Sequence, residues 1–313
     1  MRTGCSYLAP HHPAHIRTDL QEIHDLGCDD VLLAFQENDT VYFPGKLEYT
    51  PQIARDLGIR PIAVFWGGLN FFGGGRSSQF LLAHPEAHQV GRDGAWHEGG
   101  CYNHPRCVQT ILDIVDQCAE FGFEGFFVDE PSPTACFCPA CESLYEEWNG
   151  NALREASEEE DGAFRRRCVL HYIERLTGHL RTHHPKLETM CCIMPVDQNL
   201  WRDVAAIDTL DALGTDLYWA NEDRDLEEMR PYVREMAELC REKGKIHQEW
   251  FQSWGVNAGR EERAAQQGEI LISEKPDALY TWAFRSQLGT SESADDPERA
   301  WECAARVLRK AKE

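Results

Sequence analysis

The sequence predicts an α/β fold, a single (β/α)8 TIM barrel over residues 1–313, and three observations carry that prediction. Strand-like and helix-like patterns alternate eight times along the 313 residues, and such alternation builds a parallel sheet covered by helices. The length is generous for one sandwich or bundle and comfortable for one barrel. No Gly-rich phosphate fingerprint follows the first strand, which argues against a doubly wound sheet.

Taken in order, Gly4–Ala9 reads as the first strand and Thr18–Leu26 as a helix with apolar residues at helical spacing, ended by Gly27. Asp30–Phe35 is the second strand, Leu47–Leu57 a helix stopped by Gly58, and Pro61–Trp66 the third strand. A long loop over 67–107, rich in Gly, aromatics and His, follows; loops of that length are usually functional. Val108–Phe121 is helical and leads into Gly125–Val128, an apolar run buried on both faces as a central strand. It ends abruptly in Asp129, Glu130 and Pro131, where the missing N–H stops the ladder.

A cysteine-rich loop over 132–148, a polar excursion to Asp161 and a long helix, Phe164–His183, come next. Thr189–Met194 is the fifth strand, Leu200–Ile207 a short helix, and Ala212–Asp216 the sixth strand. Leu226–Lys243 is helical, Lys245–Trp250 the seventh strand and Glu261–Glu274 helical. Ala278–Arg285 is the eighth strand, and Pro297–Lys312 closes the chain with Pro at a helix start.

Composition narrows the function. A formal charge of −22 repels nucleic acid and anionic membranes, so neither is expected as a partner. No basic-then-apolar leader opens the chain and no apolar run reaches spanning length. Thirteen cysteines, odd in number and irregularly spread, suit reduced thiols plus a metal site, and with them a cytoplasmic setting.

In a barrel the chemistry sits at the strand C-termini. Those ends offer Trp66 on strand three, Asp129 and Glu130 on four, Asp216 and Tyr218 on six, Glu249 and Trp250 on seven, and Trp282 and Arg285 on eight. Carboxylates on strands four and seven face each other across the mouth. A retaining glycosidase needs such a pair, acid and nucleophile, roughly 5–5.5 Å apart. The aromatics at these ends suit the apolar face of a sugar, although rim packing competes for them. Cys136, Cys138 and Cys141 put three thiolates in one tight loop, and Zn²⁺ wants four ligands. Cys101 or Cys107, from the loop after strand three, can supply the fourth.

The residues resemble the glycoside hydrolase family 42 β-galactosidases. His84-Pro85-Glu86, Asp93-Gly94 and Cys101 are similar to that family's run after strand three. Asp129-Glu130-Pro131 stands where the family has Asn-Glu, and Cys136, Cys138 and Cys141 match its zinc cysteines. Asp216-Leu217-Tyr218 resembles its Asp-x-Tyr, and Arg285-Ser286-Gln287 with Gly289 and Glu292 its strand-eight ending.

The resemblance implies Glu130 as acid/base, Glu249 as nucleophile and Tyr218 as the nucleophile's hydrogen-bond partner. It implies Asp129, Asp216, Trp66, Trp250, Trp282 and Arg285 around a small carbohydrate substrate, a β-glycoside such as a galactoside. Cys101, Cys136, Cys138 and Cys141 become a structural Zn²⁺ site, with no organic cofactor, and homo-oligomerisation stays open. Two departures stand out: Ala34-Phe35-Gln36-Glu37 lacks the family's strand-two arginine, and Asp129 replaces its asparagine. The competing readings are a carbohydrate-binding barrel that does not hydrolyse and a metal-dependent hydrolase built on His11, His12 and His15.

Overall fold

The computed structural model describes residues 1–65 and 78–313. Trp66 and most of the glycine-rich run that follows lie outside the described residues. Eight parallel strands close into a barrel. They are β1 (Arg2–Tyr7), β2 (Asp30–Phe35), β3 (Arg60–Phe65), β6 (Gly125–Val128), β7 (Glu188–Cys192), β8 (Ala212–Asp216), β9 (Ile246–Gln252) and β10 (Ala278–Trp282). Two further strands, β4 (His88–Val90) and β5 (Trp96–Gly100), pair antiparallel as a hairpin within the 67–107 segment.

The helices are α1 (Pro13–Asp25), α2 (Glu37–Tyr42), α3 (Pro44–Asp56), α4 (Gln79–Ala83), α5 (Pro105–Phe121), α6 (Pro139–Asn149), α7 (Glu158–His183), α8 (Trp201–Ala205), α9 (Met229–Lys243), α10 (Glu261–Glu274) and α11 (Pro297–Lys310). The expected alternation is therefore present, with shifted ends. The long helix α7 starts at Glu158 because Ser157 and Glu160 form a reciprocal capping box, which lets the acidic excursion join the helix. The eighth strand stops at Trp282 rather than Arg285.

Strand parity divides the core in two. Side chains of Leu32, Ile62, Phe127, Met190, Trp250 and Tyr280 fill the lumen, while Val31, Phe126, Cys191, Leu213, Phe251 and Leu279 pack outward under the helices. The lumen is a filled core, as barrels of this size require. Gly214 is needed where β8 and β9 pair, since a Cβ there would meet the Gln248 carbonyl oxygen at 1.9 Å.

The end where the strands begin is closed by paired charge. Arg2 donates two hydrogen bonds of 3.0 Å to Glu188. Arg60 reaches both Asp30, at 2.8 and 3.1 Å, and Glu188, at 3.0 and 3.2 Å. The Tyr280 hydroxyl donates to Asp30 at 2.6 Å. In barrels this face serves stability. The opposite end is the site.

Candidate active site

Three carboxyls meet at the mouth. Phe127 points into the lumen, so two residues on, Asp129 keeps the inward parity. Glu130 follows with a left-handed φ of 42° just before Pro131. A bulky residue there costs of order 1–3 kcal/mol and persists where surrounding structure holds it, often at active sites. On β8, Ala212 is a lumen residue, so Asp216 faces inward as well and is 3% exposed.

The Asp216 carboxyl lies close to Glu130. Neither Asp216 oxygen meets a donor among the described residues. Burial, the neighbouring Glu130 and then Asp129 push Asp216 well above the carboxylate range. Burial and Glu130 do the same to Asp129.

These acids open on a pocket of about 180 Å³ lined by Asp129, Glu130, Tyr218, Trp254, Trp282, Gln287 and Glu292. Tyr218 meets Trp254 edge-on at 5.8 Å. Burial and Asp216 push the Tyr218 hydroxyl far up, which keeps it a donor. Gln287 is 4% exposed, and its Nε2 has no acceptor among the described residues. Aromatic walls with a few convergent polar groups are the usual form of a small-ligand site.

The sequence-predicted set divides. Glu130, Asp129, Tyr218 and Trp282 line the pocket, and Asp216 lies behind Glu130. Trp250 sits deeper, 1% exposed and packed against Phe127, Tyr280 and Trp282, a lumen residue rather than a wall.

Glu249 is not brought to the mouth. In the ladder it stands level with Thr215 and Leu279, whereas Trp250 stands level with Asp216 and Tyr280. Since the latter row points inward, Glu249 points outward, under the helices, where its Oε1 bonds His247 Nε2 at 2.6 Å. It is wholly buried, and burial raises its pKa despite His247. The inward residues of β9 are Ile246, Gln248, Trp250 and Gln252.

Arg285 is also elsewhere. Three successive left-handed residues, Arg285, Ser286 and Gln287, redirect the chain after β10. Arg285 swings out to Glu22, at 2.5 Å, and Asp19 on α1, while Gln287 turns into the pocket. Gln287 and Glu292 are the pocket residues to which strand-end reasoning gave no role.

Beside the mouth, Cys101, Cys136, Cys138 and Cys141 form one buried cluster whose sulfurs all lie within 4.8 Å of one another. Cys101 Sγ is 3.4 Å from Cys141 and 3.5 Å from Cys138. Tetrahedral zinc at 2.3 Å would hold sulfurs about 3.8 Å apart, so the set fits such an ion. The amides of Val90 and Asn103 point at Cys136 and Cys101, each at 3.4 Å, as donors do toward thiolates. Cys107 instead donates to the Ala87 carbonyl, which leaves Cys101 as the fourth member.

No family model and no curated protein sequence matches the chain. Among solved structures it is similar to the β-galactosidase of the Antarctic haloarchaeon Halorubrum lacusprofundi, with TM-score 0.76 and 15% identity over 100% of this chain and 58% of that one. The β-galactosidase of Bacillus circulans sp. alkalophilus gives 0.79 and 12%, over 100% and 56%. The endo-β-1,4-mannanase of Thermotoga petrophila gives 0.62 and 12%, over 99% and 75%. At these identities the likeness establishes the fold. The chain spans less than two thirds of the length of the two β-galactosidases.

Proposed function

We propose that the protein is a glycoside hydrolase that takes a small sugar into the mouth pocket and cleaves its glycosidic bond with Glu130 as proton donor. The observation that carries the proposal is the clustering of Glu130 with Asp129 and buried Asp216 at the base of an aromatic-walled pocket. Closely placed carboxyls at the base of a pocket are what general-acid catalysis of glycoside cleavage needs. The resemblance to family 42 and the glycosidase names of the structural neighbours point the same way.

In this reading Glu130 protonates the departing oxygen, and buried Asp216 stands beside it as a neighbouring acid. Trp254, Trp282 and Tyr218 receive the apolar face of the ring, and Gln287 donates to a sugar oxygen. The opposing carboxylate of a retaining double displacement is assigned to Glu292, the remaining acid on the pocket wall, in place of Glu249. Glu292 attacks the anomeric carbon as the leaving group departs with the Glu130 proton. Water, deprotonated by Glu130, then releases the sugar and Glu292. We also infer that the four cysteines hold a structural Zn²⁺ that fixes the loop after β6 against the β4–β5 hairpin.

A panel of nitrophenyl glycosides, assayed with and without chelator, tests the reading. Hydrolysis surviving the chelator is expected. Glu130→Gln should lower it roughly 10²–10⁴-fold on poor leaving groups, Glu292→Gln should abolish it, and Glu249→Gln should leave it largely intact. The first product should keep the substrate's anomeric configuration. An inverted first product, or a Glu130→Gln enzyme at near-normal rate, removes the scheme. One observation favours a second reading: the inner face of β9 carries no carboxylate. Saturable sugar binding without turnover on any glycoside would establish that reading, a carbohydrate-binding barrel.

A further inference from the structure

Far from the mouth, two helices bring together a trio that neither the fold nor the proposed chemistry uses. Asp116 projects from α5, His179 lies in the penultimate turn of α7, and His184 caps that helix. Both imidazoles converge on one carboxylate oxygen: His179 Nε2 is 2.6 Å and His184 Nε2 2.7 Å from Asp116 Oδ1. Among the described residues no lysine or arginine pairs with Asp116. All three side chains are partly exposed, so solvent reaches the cluster.

We propose that Asp116, His179 and His184 bind one divalent transition ion of the zinc, cobalt and nickel class, clamping α5 to α7. Two imidazoles and a carboxylate are the donor set that such borderline ions select. The three ligand atoms already lie within 4.8 Å of one another. An ion at 2.0–2.1 Å from each would set neighbouring ligand atoms about 3.3 Å apart, which opens each imidazole–carboxylate contact by under an ångström. Each neutral imidazole moves its proton from Nε2 to Nδ1, freeing the converging lone pair, so no proton need leave.

The surroundings favour a cation. The site sits at the C-terminal end of a 26-residue helix, the negative pole of its dipole. The chain as a whole carries −22. Three protein ligands leave room for water in the remaining position. This donor set is chemically distinct from the buried sulfur cluster, and binding would join the helices on either side of β6, the strand that carries Glu130.

The test uses the whole chain, given one equivalent of Zn²⁺, which the four thiolates take first, and then titrated with Co²⁺. One further Co²⁺ per chain is expected by equilibrium dialysis, with weak visible bands and no sulfur-to-cobalt charge-transfer absorption. The melting temperature should rise with Co²⁺ as binding to the native state demands. His179→Ala and His184→Ala should each weaken binding at least tenfold, and the double variant should abolish it while still melting cooperatively. Absence of saturable binding, wild-type binding by the double variant, or a sulfur band on the bound ion each overturns the proposal and leaves the trio a hydrogen-bonded latch.

Discussion

The two ends of the barrel bury carboxyls in opposite ways. Where the strands begin, Asp30 and Glu188 each meet an arginine or two in direct hydrogen bonds. Where they end, Asp129, Glu130 and Asp216 crowd together with no described cation among them. The same residue type is thus stabilising at one end and costly at the other, because a buried charge is tolerable only when paired. Burial works against ionisation of Glu188, but the bonds from Arg2 and Arg60 outweigh it and hold its carboxyl below the usual range. Asp216 goes the other way. A fold that keeps unpaired acids at its mouth trades stability for a group poised to exchange protons.

If that contrast is right, the mouth needs outside support and the base supplies its own. Cys138→Ser should have the largest effect, removing the metal ion, zinc in the proposal, and costing more than about 4 kcal/mol of stability, the range expected when a structural metal is lost. Elemental analysis beside a denaturant titration checks it; undiminished metal content in the variant would remove the site. Arg60→Ala should cost about 3 kcal/mol by taking both guanidinium bonds from buried Asp30, with little change in activity per folded molecule. An activity loss without a stability loss would erase the distinction between the two ends.

Asp216→Asn sharpens the contrast because its sign is opposite. A carboxyl raised in the fold favours folding below its unfolded pKa, near 3.9, and that contribution is lost as pH rises through the folded value. Glu188, lowered in the fold, contributes above its unfolded pKa and loses that contribution as pH falls through the folded value. Asp216→Asn should therefore stabilise the protein at neutral pH, by about 1 kcal/mol, and flatten the loss of stability above pH 4, while impairing turnover. Melting temperatures over a pH series decide it, and a variant less stable than wild type at neutral pH would refute the unpaired-acid argument.

The fold was legible because its signals are local: eight apolar runs, the Gly stops, and Asp129-Glu130-Pro131 at a strand tip. The cysteine set was legible from spacing, although only the packed structure separates Cys101 from Cys107. Glu249 was misplaced because its facing depends on register with β8. Asp216 inside forces Trp250 inside and Glu249 out, and no single strand carries that information. The approach of His179 and His184 to Asp116 likewise depends on how two helices pack.

The finest test of site against scaffold lies in the turn after β10, where two neighbours of similar reach have been sent to different duties. Nothing in Arg285-Ser286-Gln287 announces three left-handed residues, since none is glycine. Arg285 forms a partly exposed ion pair with Glu22, and such pairs contribute about 0–1 kcal/mol. Arg285→Ala should leave KM and kcat near wild type and lower stability only slightly. Gln287 keeps a buried Nε2 without an acceptor on the pocket wall, a donor that a sugar oxygen would satisfy. Losing one such bond, about 0.5–1.5 kcal/mol, should raise KM for Gln287→Ala several-fold with kcat nearly unchanged. Steady-state kinetics of the two variants on one substrate would show it. A larger KM effect from Arg285→Ala than from Gln287→Ala would mean that the arginine, not the glutamine, faces the sugar.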